Sequence, residues 1–528
     1  MLYSYAYKYA SRKTVFADFL RLSLRVFANI DVKQETIDSD PTAKINVAVI
    51  GAGHIGTELA RQLVENPMSQ YRPVCFVDID KEKVGRSING LPILGEAKNL
   101  DDAFSRLGVR EIIFALPEMN SVDKMSLFDK YKHYGLKMNS YDYPIYEDDQ
   151  SGKKRIREFT IEDLLQRPPV QLDESILKDC YLGRRVLVTG GGGSIGSEMC
   201  RQIASMKPAL LIIMDIAENT AYDLQQELRI QYGNKLKMAV EICNMCDMGA
   251  LDRLFAKYHP EVVIHAAAHK HVPLMEHNTT ECIKNNVFGT QNTIDCCLKY
   301  GAQHFIMVST DKAVNPTNVM GASKRVCELI AHNAADNTEA YAKSRGIILS
   351  RTKTIFSATR FGNVLGSAGS VVPLFKRQIA SGGPITITDK NIIRYFMTIP
   401  EASRLVLTSG AIAKNGELFV LDMGEPVHIM TLAENMVRLS GLVPYRDIEI
   451  IETGLRPGEK LYEELLVANG NCTKTDNDLI YVETEESVDN KAILAGLADL
   501  AEACDEYDDE AIRSVLKEMV PTYAAQKE

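Results

Sequence analysis

The sequence predicts an α/β protein built from two successive doubly wound parallel sheets, and three observations carry that reading. An apolar strand runs into a glycine-rich turn and then a helical pattern at NVAVIGAGHIG, and the same order recurs at RRVLVTGGGGSIG. In each copy a second apolar strand follows and closes on an aspartate, Asp78 in VCFVDID and Asp215 in ALLIIMD. Further strands alternate with helical segments, the pattern of βαβ units, whose crossovers force parallel pairing. Both copies therefore read as Rossmann-type modules, and 528 residues leave room for roughly three domains of ordinary size.

The first module is expected over 44–150. Gly51, Gly53 and Gly56 stand between strand and helix: the first makes the turn, the second admits a pyrophosphate to the backbone, and the third allows close helix packing. The module reads either as a dinucleotide site completed by Asp78 or as a module kept for structure or regulation, since no catalytic motif accompanies it. Residues 151–172 are charged, carry Pro168 and Pro169, and read as a linker. The second module, 173–528, is the stronger cofactor site. Gly190, Gly193 and Gly196, with Ser194 and Ile195, open its first helix, and Asp215 favours NAD through the adenosine ribose, or else caps the next helix. After the fourth strand, small Ala266, Ala267 and Ala268 let a cofactor lie against backbone, with Lys270 and His271 beyond them on the substrate side. In NNVFGTQN, polar for a packed helix, one asparagine is expected to bond backbone beside the site.

Composition narrows the function classes. A net charge of −10 makes nucleic acid an unsuitable partner. Eleven scattered cysteines without paired spacing fit reduced thiols in a cytoplasmic compartment. Cys243 and Cys246 form one C-x-x-C with no second pair, and His265, His269 and His271 alternate across a strand end, so no metal is expected. No run of about 18 uncharged apolar residues occurs. Residues 1–31 interleave Phe16, Phe19, Leu20 and Phe27 with Arg12, Lys13, Arg21 and Arg25. They read as an amphipathic helix, either at the inner face of a membrane or packed on protein, joined through a polar linker ending at residue 43.

Seven motifs in order carry a resemblance: VAVIGAGHIG, RVLVTGGGGSIGSE, HAAAHKHVPLME, VSTDKAVNPTNVMGASK, TRFGNVLGSAGSVVPLF, RYFMTIPEA and GLRPGEKLYEEL. Together they resemble the long, two-Rossmann nucleotide-sugar 4,6-dehydratases of the extended short-chain dehydrogenase/reductases, found in bacterial capsule, O-antigen and protein-glycan synthesis. The resemblance implies NAD, a UDP-sugar substrate and a homo-oligomer. It also implies a substrate-binding part mainly over 363–482, before an acidic helical tail. Met320 stands where these folds place a tyrosine, as in C5-retaining UDP-N-acetylglucosamine 4,6-dehydratases. Asn244 stands where the family usually has an adenine-contacting aspartate and leaves that cofactor contact to a side-chain amide, with Asp247 expected as a further cofactor contact. The family's frequent membrane helices have no counterpart.

Such a reaction oxidises the sugar at C4, which acidifies the C5 proton. Loss of that proton with the C6 hydroxyl then releases water. By resemblance Asp311 is the acid, Lys312 the base, Thr310 the partner of the C4 oxygen, and Lys324 the holder of the nicotinamide ribose. Met320 cannot take a proton, which leaves Thr310, Lys324, water or a ribose hydroxyl to deprotonate C4. An acidic Asp311 needs a raised pKa and a basic Lys312 a lowered one, and burial near Lys324 and the nicotinamide charge is expected to lower Lys312. Asn363, Arg394 and Arg456 are the expected diphosphate contacts. Glu459 is expected to organise its turn instead.

Overall fold

The computed structural model describes residues 44–96, 100–117, 121–142, 155–164, 174–464, 472–484 and 489–524. The basic amphipathic segment over 1–31, and the proline pair of the expected linker, lie outside the described residues. No helix among the described residues is long and apolar enough to cross a membrane.

Two sheets form where the repeated pattern places them. Named by first residue, the strands of the first run Ser87, Leu91, Tyr71, Ile45, Glu111, Lys137, Arg155. The five from Leu91 to Lys137 are parallel. Val47, Ala48, Val49, Ile112 and Ile113 are wholly buried because helices cover both faces. The sheet reaches past the boundary expected at residue 150. Arg155–Glu158 pairs antiparallel with Lys137–Asp142, so part of the segment read as a linker is an edge strand. Exposed Glu158 suits an edge, where one side of the strand meets water.

The second sheet runs Met238, Leu210, Arg185, Val262, His304, Ile355, Glu417, Ile480, Cys472. It is parallel through Glu417 and closes with two antiparallel strands. Strand order reverses between Arg185–Thr189 and Val262–His265, opening the crevice where doubly wound sheets bind ligands. Beneath it, Ile283–Phe288 forms a π-helical turn. There Asn286 accepts from His269 N at 2.8 Å and donates to His269 O at 3.0 Å, the backbone contact expected of one asparagine in this stretch. The acidic tail packs within the chain: Ile493, Leu497, Leu500, Ile512 and Leu516 join the core of the second sheet.

The small lobe after Asn363 does not stand apart from the first module. One buried cluster contains Ile112, Phe114, Phe128, Phe159 and Ile161 of the first module together with Leu365, Phe375, Ile429, Leu432 and Val437 of the lobe. The amphipathic helix Ile429–Leu439 presses its apolar face on this shared layer. The core therefore joins segments some 250 residues apart in sequence, roughly the reach of a whole domain.

Phe375 is wholly buried in the shared layer. Phe375→Ala should cost about 3–5 kcal/mol, read as a lower urea midpoint with unchanged slope. A loss below about 1 kcal/mol would mean that the lobe is not anchored there.

Candidate active site

The glycine turn of the second sheet is set by backbone sterics. Gly190 has φ +66°, and a Cβ there would lie 2.8 Å from Ala267 N and Cα, so only glycine lets the turn pass beneath the Ala266–Ala268 segment. A Cβ on Gly193 would meet nothing nearer than Gly190 O at 3.2 Å, which leaves space over the N-terminus of the helix Ser194–Ser205. Asp215 braces the turn: Oδ2 accepts from Gly192 N at 2.8 Å and Oδ1 from Ala217 N at 2.8 Å. The first module repeats this device, with Asp78 accepting from Ala52 N at 2.8 Å and from Asp80 N at 2.9 Å.

The remaining expected cofactor residues take local roles as well. Asn244 Oδ1 accepts from Cys246 N at 2.9 Å, forming a turn. Asp247 caps the helix Met248–Tyr258 through Ala250 N at 2.9 Å. Ser194 Oγ accepts from Ala368 N at 3.0 Å, tying the cofactor turn to the glycine-rich loop after Asn363. Ile195 packs at the edge of the second-sheet core.

Thr310, Asp311 and Lys312 follow the strand His304–Val308, and Asp311–Ala313 forms a 3-10 turn. Thr310 Oγ1 donates to Asp311 Oδ1 at 2.8 Å, Lys312 Nζ lies 3.0 Å from the same oxygen, and Asn363 Oδ1 lies 3.5 Å from Lys312 Nζ. The helix Val319–Asp336 presses onto this turn because Gly321 has no side chain. A Cβ there would lie 2.2 Å from Lys312 O. One face of that helix carries buried Met320 and, one turn on, buried Lys324. Lys324 charge reaches His265, whose imidazole is pushed down to about 3 first by burial and then by that charge. His265 is thus a neutral strut, bonded to Thr189 and Thr290 at 2.9 Å each.

A buried ion pair holds these pieces together. Glu328 of the helix Val319–Asp336 accepts from Arg360 Nε at 2.7 Å and Nη2 at 2.5 Å, and from Ser309 Oγ at 2.5 Å. Arg360 Nη1 reaches Glu483 at 2.7 Å. Burial opposes the Glu328 charge, but Arg360, then Arg325 and Ser309, outweigh it and hold the carboxyl at about 2.

On the substrate side, the His271 ring stands so close to Gly369 that a Cβ there would lie 2.4 Å from Cε1. Lys270 sits in the same cleft, its pKa lowered by burial and then by Lys312. Arg456 is exposed at the RPGEK turn. Glu459 organises that turn as expected, accepting from Arg456 N and Thr388 Oγ1 at 3.2 Å each. Arg394 is 7% exposed, with donors engaged by the carbonyls of Ile393, Leu461 and Lys460 at 2.7–3.1 Å. Its guanidinium builds the loop.

Two features depart from the reading of the sequence. Lys312 is raised above the ordinary lysine value, not lowered: burial opposes its charge, but Asp311 and then Glu463 outweigh it. Glu463 itself was missed. Buried beside Lys312, it is one of two adjacent glutamates in LYEEL, and nothing in that short polar run marks which one turns inward. Among the described residues no cluster of three or more His, Cys, Asp or Glu side chains is arranged to hold a metal.

The family described as "Polysaccharide biosynthesis protein" matches residues 186–485, which holds every element of this site from the strand before the glycine turn to Glu463. The chain belongs to that family. A second description, "CoA-binding domain", matches residues 21–126, over the first module. The chain is 44% identical over 441 residues to "Probable polysaccharide biosynthesis protein EpsC" of Bacillus subtilis, covering 83% of this chain and 71% of the relative. It is 35% identical over 291 residues to "UDP-N-acetylglucosamine 4,6-dehydratase (inverting)" of Campylobacter jejuni, covering 54% of this chain and 78% of the relative. The X-ray structure of Pen from Bacillus thuringiensis aligns at 30% identity with TM-score 0.51, over 58% of this chain and 91% of that one. The chain is thus a nucleotide-sugar-modifying member of the extended short-chain dehydrogenase/reductases.

Glu328→Ala removes the partner of Nε and Nη2 of buried Arg360, leaving it Glu483 on Nη1, and should cost about 3 kcal/mol at neutral pH. Because the folded pKa is depressed, this stabilisation is complete above the ordinary value of 4.5 and fades as pH falls toward about 2. Urea midpoints between about pH 6 and about pH 3 should drop more steeply for the parent than for Glu328→Gln. Parallel slopes would remove Glu328 from the acid response.

Proposed function

We propose that the protein catalyses NAD-dependent 4,6-dehydration of a UDP-sugar, with UDP-N-acetylglucosamine the first candidate, giving a 4-keto-6-deoxy sugar for surface polysaccharide. The observation that carries this reading is the Asp311–Lys312 pair at the strand end, 3.0 Å apart, with Asn363 alongside. Simple oxidation or epimerisation needs no second acid and base, whereas elimination needs both.

The open space over Gly193 and the braced Gly190 turn fit a dinucleotide pyrophosphate, with Asp215 toward the adenosine ribose and Lys324 toward the nicotinamide ribose. NAD bound there would supply the acceptor for the C4 hydrogen and return it to C6. The rest falls to the chain. Asp311 and Lys312 share one proton along their contact. Its shift from Nζ to Oδ1 makes Lys312 the base for the C5 proton and Asp311 the acid for the C6 hydroxyl in one move, with no net charge transferred to solvent. The resting ion pair is therefore the precursor of the working pair, and the raised Lys312 is compatible with catalysis.

Asn363, Arg456 and the helix N-terminus at Val371 serve the diphosphate. Ser370 Oγ, buried at that terminus, has no hydrogen-bond partner among the described residues. Arg394 supports them by holding the 460–461 backbone. Met320, 3% exposed in the core, fills the tyrosine position with apolar volume and by resemblance favours retention at C5. The first module binds the lobe through their common core, which supports a structural role for it.

Incubation with UDP-N-acetylglucosamine should give a product lighter by one water. Unchanged mass with a new epimer would move the assignment to an epimerase, and no conversion to a scaffold. Lys312→Ala should keep nucleotide binding yet lose C5 deuterium exchange and water release by at least about a hundredfold. Gly193→Val should fold, given the space around it, but fail to retain NAD.

A further inference from the structure

Glu463 is 8% exposed, and its Oε1 lies 3.7 Å from Lys312 Nζ and 3.7 Å from Arg394 Nε. A buried carboxylate demands cationic partners, and here both are fixed from elsewhere in the fold. Arg394 is pinned by three carbonyls, two of them in the segment that leads to Glu463. That segment is in turn docked on the start of the catalytic helix, where Thr317 Oγ1 and Asn318 Nδ2 donate to Gly458 O at 3.0 and 3.1 Å. Glu463 therefore stands at a set place beside an amine whose stem comes from a different element.

We propose that Glu463 is a positioning residue that holds the shared proton on the Asp311–Lys312 pair and keeps the Lys312 amine in the cleft. The proposal rests on the dehydratase reading of this site. Four charged groups face the amine: Asp311 on its own turn, Glu463 after the RPGEK turn, Arg394 on the strand Ile393–Met397, and Lys270 after the strand Val262–His265. The two cations favour loss of the Lys312 proton, and among the described residues Glu463 joins Asp311 in countering them. Once Asp311 accepts the shared proton and becomes neutral, Glu463 remains as the anion opposite the amine. The proton that Lys312 takes from the sugar then arrives on a group already matched by a negative charge.

The test uses the full chain and three measurements. In Glu463→Gln the alkaline limb of the dehydration rate should move to lower pH by about one unit, because one anion beside Lys312 is gone. Glu463→Asp, which keeps the charge, should return the limb toward its original place. Competitive labelling of lysines with acetic anhydride, read by mass spectrometry across pH, follows the Lys312 amine without any substrate and should show the same shift. A rate that falls in Glu463→Gln with both the limb and the labelling curve unmoved would overturn the proposal and leave Glu463 a structural residue. If the parent chain converts no UDP-sugar while the labelling curve still shifts, the dehydratase reading fails and the pairing of Glu463 with Lys312 stands.

Discussion

The site depends on one buried ion pair. Arg360 and Glu328 are 3% and 2% exposed, and charges so deeply buried need the bidentate contact between them, with Glu483 and Arg325 adding to it from either side. Ser309, immediately before the Thr310-Asp311-Lys312 turn, hangs from the same carboxylate, while Arg360 immediately precedes Phe361, Gly362 and Asn363. The pair thereby sets where a strand end, a helix and the substrate loop stand relative to one another. The roles proposed for groups on three elements need such a common anchor, because an error of an ångström between them would separate the proposed acid and base from their target. Glu483 brings in the edge strand as a fourth element.

Packing does at the scale of domains what the ion pair does within the site. The first module and the substrate lobe bury one continuous apolar layer, and a Cβ at Gly441 would lie 2.8 Å from Lys137 N, so the two backbones approach closely. The apolar residues of the lobe are buried in the same cluster as those of the first module. Resting on a seven-stranded sheet, the lobe can present Asn363 and the Arg394 loop to the catalytic turn.

Charge in the cleft follows from this assembly. Asp311 and Glu463 come from positions 152 residues apart and meet only at Lys312. Burial on its own lowers a lysine, which is why the sequence pointed downward. Two carboxylates reverse the sign, and the second arrives with the docked RPGEK turn.

The sequence by itself determined the two sheets, the glycine turns, the aspartate after each second strand and the Thr310-Asp311-Lys312 cluster, because each is written in local spacing and backbone sterics. The glycines tell where a chain must turn, and periodicity tells which residues are buried. It also identified Glu459 as a turn residue and an asparagine in NNVFGTQN as a backbone partner, both from short-range polarity. Only the tertiary structure decided that Arg155–Glu158 closes the first sheet, that the first module and the lobe share a core, that Arg394 is consumed by carbonyls, and that Glu463 faces Lys312. Each of these is a contact between segments far apart in the chain. No local pattern encodes the partner, because burial, charge and hydrogen-bond supply at such a position are set by whatever the fold brings against it.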